Sequence, residues 1–161
     1  MQISAKVAEQ MNAQIGNELG ASNQYLQIAA FFEARALHKL AEFFFKQSEE
    51  EREHAMKFLR FLLETGAPVH IPAVPAPNAQ IETAERAFEM SLNWEKEVTR
   101  QIYTILETAI QEKDYASQQF LQWFVEEQVE EVSTMENMLE IVRQAGEKNL
   151  LMIEAYLLHG A

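Results

Sequence analysis

Ser48–Pro68 reads SEEEREHAMKFLRFLLETGAP. Its last residues fix a helix end: Gly66 is a helix-stopping residue, and Pro68 just beyond it cannot continue the helix. Its middle fixes a face. Glu51 shares one stripe with Phe44, Ala55, Phe58 and Leu62, at −7, +4, +7 and +11, so an acid interrupts an apolar stripe instead of joining the solvated side. Its opening fixes a chemistry. Glu51-Arg52-Glu53-His54 sets a carboxylate and an imidazole three residues apart, on one helical face.

That run has a partner. Glu18 precedes Glu51 by 33 residues, and Glu95 precedes Gln128 by the same 33. Adding 77 to Glu18, Glu51 and His54 gives Glu95, Gln128 and Glu131. Each half of the chain therefore offers one ligand on one helix and an i, i+3 pair on the next. Glu95 lies in a stripe with Phe88, Leu92, Val98, Ile102 and Leu106. Gln128 lies with Leu121, Phe124, Val132, Met135 and Leu139, and Glu18 among Met11, Ile15, Tyr25, Leu26 and Ala29. The four positions also fall at similar depths in their helices. An unpaired buried carboxylate costs several kcal/mol or takes up a proton. Cations placed among the acids reverse that logic. Carboxylates with one imidazole suit iron or manganese better than zinc.

The rest of the chain reads as helix. The expected segments are about 4–35, with Ser4 as N-cap, 38–65, 81–112, 115–145 capped by Asp114 and ended by Gly146, and a short 147–159. All four prolines fall in 66–80. Each hairpin alone leaves an apolar stripe uncovered, so the two should pack together as a single domain, 1–161. Helices of about 28 residues are roughly 40 Å long, and a 15-residue extended loop reaches about 50 Å. The loop can therefore run the length of a bundle. Short turns within each hairpin and one long crossover between them describe the ferritin-like form of the all-α four-helix bundle, here with a fifth short helix.

Composition narrows the function classes. The net charge of −12 makes nucleic acid and anionic membranes poor partners and cations good ones. No apolar run approaches the roughly 20 residues of a membrane span. The absence of cysteine excludes disulfides and thiolate metal sites. With no signal-peptide pattern at Met1-Gln2-Ile3-Ser4, a cytoplasmic location is expected.

Glu18, the Glu51-Arg52-Glu53-His54 run, Glu95 and the Gln128-Val129-Glu130-Glu131 run resemble the ferroxidase centre of prokaryotic non-haem ferritins. The resemblance extends over the whole chain. It implies that Glu18, Glu51 and His54 bind a first iron, that Glu51 bridges, and that Glu51, Glu95 and Glu131 bind a second beside Gln128. It matches Glu50, Glu127 and Glu130 to a third iron site, for which a solvated acidic face is the alternative. Tyr25 is either a core tyrosine or, by the resemblance, a hydrogen-bond donor or electron source at the centre. Trp123 is expected to pack. His38, His70 and His159 are given no role.

The implied activity is oxidation of Fe(II) by dioxygen or peroxide, with ferric mineral deposited in a hollow homo-oligomer of 24 subunits. Haem is not expected, because haem-binding relatives place a methionine where Arg52 stands, and Met56 lies on the other side of His54. The alternative is a di-iron oxidase or peroxidase that keeps its metals. The weaker amide ligand at Gln128 and the short fifth helix favour storage over that alternative.

Overall fold

The computed structural model describes residues 2–160, so the two end residues of the expected 1–161 domain lie outside the described part. Five α-helices follow one another: α1 Ala5–Glu33, α2 His38–Glu64, α3 Ala84–Gln111, α4 Tyr115–Ala145 and α5 Leu150–Leu158, the last entered through a 3-10 turn at Glu147–Asn149. There is no strand among the described residues.

Local chemistry sets the helix ends. Ser4 Oγ accepts from the Val7 amide at 3.4 Å, and Asp114 Oδ1 from the Ser117 amide at 3.0 Å. Asp114 Oδ2 also accepts from the Ser4 amide at 3.0 Å, which ties the start of α1 to the start of α4. Gly66 and Gly146 leave their helices at φ of +74° and +77°, the left-handed region that glycine enters without penalty. Helix α3 begins at Ala84, three residues after the expected Ile81, because Thr83 is the cap: its Oγ1 accepts from the Arg86 amide at 3.0 Å. Ile81 is instead a buried residue of the incoming chain. Helix α1 stops two residues short of Arg35, where Ala36 takes a positive φ and the Leu37 amide turns back to the Phe32 carbonyl.

Helices α1 and α2 pair along their length, as do α3 and α4, and α1 packs on α3. The crossover lies on α1 along a strip four residues apart. Asn12 Nδ2 donates to the Pro68 carbonyl at 2.9 Å, and the His70 amide donates to Asn12 Oδ1 at 2.6 Å. A Cβ at Gly16 would stand 2.4 Å from Pro72 Cγ. Gln24 exchanges two hydrogen bonds with the backbone of Asn78, at 2.9 and 2.8 Å. Two carboxylates anchor the C-terminal turn and helix. Glu147 accepts from the amides of Ala84 and Glu85 at the start of α3, and Glu154 from those of Lys39 and Leu40 at the start of α2.

The apolar core comes in two parts. One cluster holds Tyr25, Phe32, Phe44, Phe88 and Met135; the other holds Met11, Ile15, Phe58, Ile102, Leu121 and Phe124. Leu26 belongs to neither. It is 45% exposed, against its expected place beside Glu18. The reason is rotational: at about 100° per residue, eight residues carry Leu26 roughly 80° round from Glu18, whereas seven bring Tyr25 back to within about 20°. Between the two clusters, at mid-height, lie the acids.

Candidate metal centre

Glu18, Glu51 and Glu95 are fully buried at that level, one on each of α1, α2 and α3, with His54, Gln128 and Glu131 nearly so. Three such acids are placed there by apolar neighbours a turn away on the same helix: Ile15 for Glu18, Ala55 for Glu51 and Val98 for Glu95. The helices bring them together in two triads. Ligand atoms of Glu18, Glu51 and His54 lie within 4.8 Å of one another, and so do those of Glu51, Glu95 and Glu131. Glu51 is common to both. A third group joins His54, Glu127 and Glu131.

The imidazole is held from all sides. Its Nδ1 lies 3.2 Å from Glu51 Oε2 and 3.9 Å from Glu18 Oε2, and its Nε2 lies 3.8 Å from Glu127 Oε1. Trp123 and Phe124 meet the ring edge-on at 5.4 and 5.9 Å. On the other half, Tyr25 Oη donates to Glu95 Oε1 in a short hydrogen bond. Gln128 Nε2 donates to Glu95 Oε2 at 3.1 Å, to the Glu95 carbonyl at 3.2 Å and to Thr99 Oγ1 at 3.1 Å. Gln128 thus uses its amide nitrogen to fix Glu95, a task that its expected place as a ligand did not include.

The electrostatics call for cations. Among the described residues, no lysine or arginine pairs with Glu18, Glu51, Glu95 or Glu131; apart from amides, the one nitrogen-bearing side chain beside Glu18 and Glu51 is the His54 imidazole. Burial, reinforced by the charges of Glu95 and Glu18, holds the Glu51 carboxyl well above the usual range. Burial raises Glu95 too, opposed by the hydrogen bonds from Tyr25 and Gln128. Burial, with the charges of Glu95, Glu50 and Glu127, pushes Glu131 up to about 9. The Tyr25 hydroxyl is likewise raised by burial and by Glu95 and Glu51, so it stays a proton donor. Glu18 Oε2, Glu51 Oε1 and Glu131 Oε2 are buried with no hydrogen-bond partner among the described residues. Unpartnered buried carboxylate oxygens are costly, and a divalent cation among them removes that cost. The all-oxygen and imidazole donor set fits iron.

The centre opens on a cleft of about 460 Å³ between α2 and α4, lined by Glu49, Glu50, Glu53, His54, Trp123 and Glu127 among others. Glu50 and Glu127 are half-buried on that side. Glu130 is exposed and joins none of the three groups. Trp123 is 38% exposed, with Lys57 Nζ 4.1 Å from its ring centroid. Two contributors had not been singled out in the sequence. Gln14 Nε2 donates to Glu18 Oε1 at 3.1 Å, and Thr99 Oγ1 donates to the Glu95 carbonyl at 2.8 Å. Both sit four residues from the acid they touch, the signal that could have found them.

Paired carboxylate triads inside a four-helix bundle with one long crossover define a metal-binding bundle protein. A family model for the ferritin-like domain matches residues 8–145. The chain is 40% identical over 143 residues to ferritin BfrB of Mycolicibacterium smegmatis, covering 89% of this chain and 78% of the relative. It is 36% identical over 145 residues to the bacterial non-heme ferritin of Staphylococcus aureus, covering 90% and 87%. A solved structure of an open pore ferritin from Archaeoglobus fulgidus superposes with a TM-score of 0.93 at 37% identity, covering 96% of each chain. The chain belongs to the ferritin family, whose general role is iron storage.

Proposed function

We propose that the protein oxidises Fe(II) at this centre and stores the ferric product. The observation that carries the reading is the pair of triads sharing Glu51, with three buried carboxylate oxygens left unpartnered and no lysine or arginine paired with those acids among the described residues. Fe(II) is the substrate. Glu18, Glu51 and His54 take one ion, Glu51, Glu95 and Glu131 the other, and Glu51 holds the two adjacent. Two adjacent ions supply the two electrons that reduce dioxygen to hydrogen peroxide, or peroxide to water. The side chains contribute position and charge. Trp123 and Phe124 pack against the His54 ring, and Glu95 is fixed by Tyr25 and Gln128. The cleft, where Glu49, Glu50, Glu53 and Glu127 outnumber Lys46 and Lys57, draws cations toward His54 and gives the oxidised ion a way out past carboxylates. A third iron site is assigned to Glu50 and Glu127, which line that cleft, with Glu130, which is exposed and joins none of the buried groups.

Storage requires an enclosed volume that one bundle lacks, so the proposal includes assembly into a hollow homo-oligomer of 24 subunits. The family membership and the likeness to an open pore ferritin support that step. The same membership supports a cytoplasmic location. No helix among the described residues is long and apolar enough to cross a membrane.

Aerobic Fe(II) loading followed by sizing tests the reading. Iron co-eluting with a very large particle, far in excess of two ions per chain, is the expected result. Iron that saturates at two per chain would move the protein to oxidases that keep their metals.

A further inference from the structure

We propose that Gln14 is the positioning residue for the first ion: it fixes the Glu18 carboxylate so that one oxygen alone faces the metal. The proposal rests on the reading above, that an ion binds among Glu18, Glu51 and His54. Gln14 lies one turn before Glu18 on α1 and is 1% exposed. Its Nε2 donates to Glu18 Oε1 at 3.1 Å. That bond occupies one oxygen. The other, Oε2, has no hydrogen-bond partner among the described residues and lies 3.9 Å from His54 Nδ1, on the side where the triad converges. A carboxylate without the donor could rotate or present both oxygens; with it, one orientation and one ligand atom remain.

Gln14 is itself held. Asn17 Nδ2 donates to Gln14 Oε1 at 3.2 Å. With its carbonyl engaged by Asn17, the Gln14 amide turns its N–H groups toward Glu18. Asn17 is partly exposed and lines the cleft between α1 and α3, on the far side of the bundle from the acidic one. A chain of neutral amides thus runs from that cleft to the carboxylate. Neutrality matters: a lysine or arginine in place of Gln14 would anchor Glu18 equally well but repel the incoming cation.

Glu95 shows the same device. Its two oxygens are held by neutral donors, Tyr25 and Gln128. The end carboxylates of the centre are therefore fixed from behind, while Glu51 Oε1 and Glu131 Oε2 stay free. The duplication of the ligands does not extend to this support. The position 77 residues after Gln14 is Ser91, whose hydroxyl bonds the Ala87 carbonyl instead.

Groups that hold a metal ligand from behind typically control affinity by about tenfold to a hundredfold. The test is anaerobic titration of the assembled protein with Co(II), read by calorimetry and by the d–d absorption of the bound ion. Gln14→Met keeps length and burial and removes the donor. Its expected effect is a first-ion affinity about tenfold or more below the parent, a changed Co(II) band pattern, and a second ion bound as in the parent. Asn17→Ala is expected to move the same two readouts in the same direction by less. If Gln14→Met does not assemble, Asn17→Ala at its partly exposed position decides alone. Parental first-ion affinity with a parental spectrum, in every variant that assembles, overturns the proposal. A parent chain that binds no ions at the centre instead sinks the function on which the proposal rests.

Discussion

Replacing Glu131 with glutamine tests whether the centre is built for cations at the expense of the empty fold. The Glu131 carboxyl is pushed up to about 9, against an ordinary 4.5, by burial and by Glu95, Glu50 and Glu127. At pH 7 it is therefore protonated in the folded, metal-free chain and ionised in the unfolded one. A raised acid contributes stability that is complete below the unfolded value and is lost as pH rises toward the folded value. At about 1.4 kcal/mol per pH unit, the roughly 2.5 units between 4.5 and pH 7 cost the empty fold roughly 3 kcal/mol. Glutamine is the uncharged isostere and removes that cost. Metal-free Glu131→Gln should melt several degrees higher than the parent at pH 7, at about 2–4 °C per kcal/mol for a domain of this size, and the gap should widen toward pH 9. Ion binding should show the reverse. The parent must shed the Glu131 proton to offer a carboxylate, so Zn(II) binding at pH 7 should release about one more proton per chain than in the variant. Calorimetry in buffers of different ionisation enthalpy counts those protons. Equal proton release in the two proteins, together with parallel dependence of melting temperature on pH, would refute the reasoning.

Other consequences are as direct. His54→Ala removes the lone imidazole of the buried layer; rapid Fe(II) oxidation in a stopped-flow assay should slow strongly while the size of the assembly is kept, and an unchanged initial rate would count against the assignment. Gly16→Ala gains up to about 1 kcal/mol of helix propensity but drives its Cβ to 2.4 Å from Pro72 Cγ. Overlap of that kind costs about 1–3 kcal/mol, so a net loss is expected, seen as a lower melting temperature and faster proteolysis within 66–80. Glu154→Ala leaves the Lys39 and Leu40 amides uncapped; a loss of about 1 kcal/mol should appear as faster amide exchange at the start of α2 and across α5.

Positions that depend on the period of one helix were legible in the sequence, because burial repeats every 3.6 residues whatever the helix packs against. Phe44, Ala55, Phe58 and Leu62 mark the inward face of α2 unaided, and they carry Glu51 with them. Leu26 failed for the same reason that Tyr25 succeeded: one extra residue turns the side chain out of the core, and hydrophobicity alone does not register the angle. Contacts between elements distant in sequence were harder to read. Asn12, Gly16, Gly20 and Gln24 recur every four residues, but two glycines and two amides on a helix have no meaning until the crossover lies along them. The chemistry of the site divides in the same way. Ligand types follow from which acids interrupt apolar stripes. What each ligand can do depends on who holds it from behind, and two glutamines illustrate the two cases. Gln128 shares its stripe with Phe124 and Val132, which reads as a ligand position, yet its amide nitrogen reaches Glu95 on another helix. Gln14 shares the face of Glu18 and serves the acid on its own helix. Doubling of the ligand pattern across 77 residues without doubling of the amides therefore leaves two unlike half-sites, the asymmetry that the proposed function needs if one ion is to be held while the other passes on.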